Sequence, residues 1–89
     1  MEINGYNFIR TCDACPEQYD VYNNGKEVGS VRLRFGCLTA DYNNVQVYLH
    51  CFNDDEYKGS FDTNAERDKF LTLIAKKLKF EERRRTDNG

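Results

Sequence analysis

Four cysteines and a single histidine carry the most reactive side chains of this chain. Cys12-Asp13-Ala14-Cys15-Pro16 is a C-x-x-C turn, a spacing at which two thiolates can share one zinc ion at about 2.3 Å. A tetrahedral site needs two more ligands, and the register expected for the hairpins nominates Cys37 and His50, while Cys51 points the other way. The chain has no second C-x-x-C and no H-x-x-x-H pair. The zinc set Cys12, Cys15, Cys37 and His50 is therefore the alternative, and reduced thiols with no cofactor are the expectation. Cys37 beside His50 also has the ingredients of a thiol nucleophile with an adjacent base. Cys12 and Cys15 could exchange electrons if they opened a helix, where the dipole lowers a thiol pKa. The segment after Pro16 alternates like a strand, however, so a thiol-dependent enzyme stands as a further alternative.

Composition bounds these readings. At 89 residues, with six Phe, six Tyr and no Trp, there is room for one small aromatic-rich core, since a chain this short buries only about 60–65% of its unfolded surface. Thirteen basic against fifteen acidic residues give a formal charge of −2, which supplies no global attraction to phosphate backbones and leaves nucleic acid to a local patch. The first residues have neither the basic start nor the apolar stretch of a secretory signal, and no run is long and apolar enough to span a membrane. The expectation is a cytoplasmic protein without membrane partners.

The elements that must position these residues are set by alternation and turns. Gly5 to Arg10 reads as a short strand, and Gln18 to Tyr22 as the next. A three-residue loop Asn23-Asn24-Gly25 with a bulge puts Tyr19 and Val21 on one face with Val31, Leu33 and Phe35. A two-residue Asn24-Gly25 loop sets Val21 against Val28, on the face of Arg32 and Arg34, so the first register is preferred. A turn at Phe35-Gly36 pairs Leu33 with Leu38 and Val31 with Ala40; the competing reading is a bulge at Gly36 in one bent strand, since a left-handed Phe35 is uncomfortable. A turn at Asn43-Asn44 pairs Ala40 with Val47 and Leu38 with Leu49 on the inner face. On the outer face it sets Asp41 against Gln46, Thr39 against Tyr48 and Cys37 against His50. Tyr57 to Phe61 is expected to add a last short strand. Thr63 and Glu66 form a capping box opening a helix whose apolar stripe is Phe70, Leu71, Ile74 and Leu78. The expected fold class is α+β: an antiparallel β-meander of four to six strands with one C-terminal α-helix packed on one face. Residues 1–80 form the single domain and residues 81–89 a charged flexible tail.

In that arrangement Arg32, Arg34, Thr39, Asp41, Tyr48, His50 and Phe52 share the outer face. Tyr and Arg are common interface anchors, because each joins contact area to directed hydrogen bonds, so this set is the expected binding surface. The same face could stack single-stranded bases, with Arg83-Arg84-Arg85 drawing phosphate, and a small zinc-stabilised nucleic-acid-binding domain is the alternative. A homodimer is open, for instance through an exposed edge strand such as Gly5 to Arg10.

The stretch Cys12-Asp13-Ala14-Cys15-Pro16-Glu17-Gln18-Tyr19-Asp20-Val21, with Gly25-Lys26-Glu27-Val28-Gly29 and Val31-Arg32-Leu33-Arg34-Phe35-Gly36, resembles small proteins of bacteriophages and mobile elements in Firmicutes. It covers about a third of the chain, and no inhibitory motif is matched residue by residue. The resemblance implies a non-enzymatic, phage-encoded inhibitor, anti-CRISPR-like or otherwise, that binds and occludes a host or defence-system protein in the bacterial cytoplasm.

Overall fold

The computed structural model describes residues 1–11, 16–53 and 56–87. The strands are β1 (Glu2–Ile3), β2 (Tyr6–Arg10), β3 (Glu17–Asn23), β4 (Lys26–Arg34), β5 (Cys37–Tyr42) and β6 (Val45–Cys51), with the helix α1 (Asn64–Asp87) after them. Each strand pairs antiparallel with the next, giving one six-stranded sheet in chain order. The expected α+β meander with a C-terminal helix is what the chain forms.

Four of the hairpins close through two-residue turns in which both residues have positive φ: Asn4-Gly5, Asn24-Gly25, Phe35-Gly36 and Asn43-Asn44. This twist matches the right-handed twist of the strands, which is why the pair of left-handed residues recurs. The expected three-residue loop before β4 is thus corrected to Asn24-Gly25. The expected inner face survives because the extra residue is inserted inside the strand instead. Tyr22 pairs with Glu27 and Val21 with Gly29, so Val28 is a bulge and Tyr19 still lies opposite Val31. Gly29 answers a close approach there, since a Cβ on it would stand 2.2 Å from the Asp41 carbonyl oxygen.

The inner face, with Tyr6, Phe8, Tyr19, Val21, Val31, Leu33, Leu38, Ala40 and Tyr42, packs on Phe70, Leu71, Ile74, Ala75 and Leu78 of α1. These helix residues recur at three- and four-residue spacing, the interval that builds one buried stripe. Each fully buried Leu or Ile contributes about 1.5–3 kcal/mol of apolar burial. The helix begins where Thr63 Oγ1 accepts the Glu66 N–H at 3.0 Å, and Glu66 Oε1 accepts the Asp62 N–H at 2.9 Å. The return bond therefore reaches one residue beyond the Thr63 expected for a capping box.

Further expectations are corrected. Phe35 occupies a turn and is exposed, outside the inner set. Residues 57–61 form no strand, because they cross the ends of strands rather than run beside one: Lys58 O accepts the Gly36 N–H at 2.9 Å and Gly59 O the Glu17 N–H at 2.6 Å. β2 is no edge strand, since β1 covers it. The helix continues through the supposed tail to Asp87, with Glu81 buried and Glu82 Oε2 accepting the Tyr6 hydroxyl at 2.5 Å. Among the described residues, no helix is long and apolar enough to cross a membrane.

Candidate functional site

The expected binding set is divided between the two faces of the sheet. Arg32, Arg34, Thr39 and Asp41 lie on the outer face, away from α1. Tyr48, His50 and Phe52 lie on the helix side. The cause is a bulge in β6: Asp41 pairs with Gln46 as expected, but Ala40 pairs with Tyr48, Thr39 with Leu49, Leu38 with His50 and Cys37 with Cys51. Val47 is the extra residue, and both it and Tyr48 pack against the core. Beyond it every side chain changes face, as a one-residue slip demands. His50 then joins an aromatic cluster, 4.8 Å from Phe52 and 5.1 Å from Phe70 between ring centroids, with Phe61 stacked on Phe70 at 5.8 Å.

The same slip undoes the Cys37–His50 pairing. Cys37 is joined to Cys51 by a disulfide across β5 and β6, which corrects the expectation of reduced thiols for this pair, and His50 faces the opposite side of the sheet. Neither the proposed zinc set nor the thiol–base pair can use Cys37 together with His50 in this register. Cys12 and Cys15 lie outside the described residues. Among the described residues, no group of three or more His, Cys, Asp or Glu side chains gathers as a metal would require.

The Arg83-Arg84-Arg85 run is built into the helix end. Arg84 Nη2 stands 3.2 Å from Glu81 Oε2, and the Arg85 guanidinium lies 4.8 Å from the centre of the Tyr42 ring.

At the end of the sheet where β4 turns into β5, the fold presents two large rings to solvent. Phe35 is 68% exposed and Tyr57 80% exposed. With Pro16, Arg34 and Gly59 they line a shallow hollow of about 240 Å³. The Arg34 guanidinium sits over the Phe35 ring, 4.8 Å from its centre. Phe35 has φ of +52°, a left-handed backbone that costs a residue with a Cβ about 1–2 kcal/mol. Among the described residues, the other left-handed ones are Asn or Gly, which reach that conformation easily. The sequence expectation sets Phe35 on the inner face and Tyr57 in a last strand, whereas both rings stand in solvent.

Joined to Gly59 of this hollow through the Glu17 N–H is a buried ionic clamp that sequence reading missed. Glu17 is buried among the first residues of β3, with Arg67 Nε at 2.6 Å from Oε2 and Nη2 at 3.1 Å from Oε1. The Tyr19 hydroxyl donates to Oε2 at 2.5 Å and the Phe61 N–H to Oε1 at 3.1 Å. Burial raises the Glu17 pKa, but the hydrogen bonds from Arg67, Tyr19 and Phe61 outweigh it and hold the carboxyl below its ordinary range. The Tyr19 hydroxyl is pushed up to about 12, by burial first and by Glu17 second. The available signal was phase: Glu17 alternates with Tyr19 and Val21, and Arg67 is in register with the helix stripe at Phe70, Leu71 and Ile74. A carboxylate on an inner face needs a cation on the element that covers it.

The outer face is ordered by charge. Reading across the strands, one row holds Ile9, Asp20, Ser30, Asp41 and Gln46, and the next holds Gln18, Arg32, Thr39 and Leu49. Arg34 lies one row further, opposite Cys37 of the disulfide. Among the described residues, Asp20, Asp41 and Arg32 make no ion pair within the chain. A hollow of about 200 Å³ opens beside Ser30, lined by Ser30, Arg32, Thr39, Asp41 and Gln46. No protein-family model, no curated protein and no solved structure matches this chain.

Proposed function

We propose that this protein is a non-enzymatic binding module that seizes another protein with the hairpin tip at Phe35 and acts by occluding the surface it covers. The observation that supports this reading is Phe35 itself: a large ring held in a left-handed turn, mostly exposed, beside a second exposed ring and capped by Arg34. Backbone strain spent on an exposed aromatic does nothing for the core, and strained positions concentrate where proteins make contacts. Aromatic rings and arginine dominate the energetics of protein interfaces, where they fill pockets on the partner. Of the residues expected to bind, Arg34 keeps its place in this surface, and Phe35 and Tyr57 join it. The reading of the module as an inhibitor carried by a phage, with a host or defence-system protein as its target, draws on the sequence resemblance alone.

The test is affinity capture from a Firmicutes lysate with tagged wild-type protein and the Phe35→Ser, Tyr57→Ser double variant, read by mass spectrometry. A stoichiometric protein bound by the wild type and lost by the variant is the expected result, with at least about a tenfold weakening for each ring removed. A partner retained equally by both proteins would overturn the reading.

A further inference from the structure

The outer face of the sheet carries a pattern that the Phe35 tip does not use. Asp20 and Asp41 flank Ser30 in one row, and Arg32 stands in the adjacent row on the same strand as Ser30. Two residues along a strand separate the rows by about 6.8 Å, and neighbouring strands lie about 4.8 Å apart. Charges are therefore segregated along the strands, and none of these three is paired within the chain among the described residues.

We infer that this face seats a second copy of the chain, related by a two-fold axis that lies between the two sheets and perpendicular to the strands. The charge rows choose this axis. A two-fold parallel to the strands lays each row on itself, with aspartates against aspartates. A two-fold across the strands, midway between the rows, lays each row on the other. Arg32 of one copy then comes down on Ser30 of its partner, with the partner's Asp20 and Asp41 one strand away on either side.

The surface is shaped for this, because Ser30 is small and the hollow beside it has Asp41 in its wall. Symmetry makes the same contact twice, as a closed pair requires. Ile9 and Leu49, 43% and 59% exposed near opposite margins of the face, are covered by the same approach. Sheets stack face to face about 10 Å apart, a separation that an arginine side chain spans. The two Phe35 tips point away from each other at opposite ends of the pair, so the dimer displays two binding tips. The residues substituted in the two tests are different, and either proposal can fail alone.

The test is the mass of the purified full chain in solution, by sedimentation or by light scattering after gel filtration, in three preparations. Wild type is expected to be a dimer. Arg32→Asp and the Asp20→Arg, Asp41→Arg double variant are each expected to be monomeric. In both variants like charges meet, which raises the dissociation constant about a hundredfold or more. Mixing the two variants in equal amounts is expected to restore a dimer, because both symmetric contacts then join opposite charges.

Ser30→Tyr, which alters no charge and fills the hollow, is expected to be monomeric as well. Circular dichroism confirms that each variant is folded, and all the substituted side chains lie on the face away from the core. A wild-type monomer at millimolar concentration overturns the inference. So does an Arg32→Asp or Ser30→Tyr variant that stays dimeric, or a mixture that stays monomeric.

Discussion

The Asn24-Gly25 and Phe35-Gly36 turns impose nearly the same backbone on different residues. Their φ values are +54° and +79° in the first, +52° and +76° in the second. Asn-Gly is what such a turn selects, because Asn tolerates the left-handed region and Gly has no Cβ to clash. Phe does neither. The first turn is explained by folding alone, whereas the second holds a residue that folding disfavours and leaves its ring in water. Two regions with one geometry and opposite residue choices separate what the chain needs to fold from what it keeps for contact.

The largest expected effect strikes the ionic clamp around Glu17. Arg67→Ala removes the two-point guanidinium contact from the buried Glu17 carboxylate and leaves it only Arg10, whose Nη2 stands 3.9 Å from Oε1, a loss of up to about 3–5 kcal/mol. Hydrogen exchange should show protection falling first around Glu17, Lys58 and Gly59, and later at the Asn24-Gly25 turn.

The clamp also sets the acid limb of stability. Because Glu17 is held below its ordinary value of 4.5, its contribution is present above that pH and disappears as pH falls through the lower native value. Wild type should therefore lose stability below about pH 4.5. Arg67→Ala removes the first of the hydrogen bonds that lower this carboxyl while the burial that raises it stays, so the acid limb measured by urea unfolding at several pH values should be shallower. An unchanged limb would show that Glu17 does not set it.

A smaller effect sharpens the comparison of the turns directly. Asn24→Phe places in the first turn the residue that the second one tolerates. It should lower stability by about 1–2 kcal/mol, read as a fall in the thermal midpoint. No change would mean that this turn accepts Phe freely and that Phe35 signals nothing.

Much of the architecture was legible, and the reasons are local. The helix stripe from Phe70 to Leu78, the Thr63 start and the turns at Phe35-Gly36 and Asn43-Asn44 are all written in short-range spacing. The pairing of β4 with β5 came directly from the Phe35-Gly36 turn. What could not be read were the position of the bulge before Gly29 and the presence of the one in β6. In β6 both phases are apolar, Val45, Val47 and Leu49 on one and Tyr48, His50 and Phe52 on the other, so alternation cannot choose. The choice is tertiary: Phe61 and Phe70 arrive from outside the meander and complete an aromatic cluster with His50 and Phe52. That single slip carried Tyr48, His50 and Phe52 off the expected binding face and brought Cys51, rather than His50, to Cys37. Glu17 was hidden for a related reason, since its partner lies 50 residues away. The exposure of Phe35 became visible only with the turn in place.

The measurement that bears most directly on Phe35 as a residue kept for contact is the urea midpoint of Phe35→Asn against wild type. The substitution relieves about 1–2 kcal/mol of backbone strain and forfeits an exposed cation–π contact with Arg34 worth about 0.5 kcal/mol. The midpoint should therefore rise at unchanged slope, by the amount that corresponds to roughly 1 kcal/mol of added stability. A midpoint that falls would place the Phe35 ring among the residues that hold the fold together, and the tip would lose its standing as a binding site.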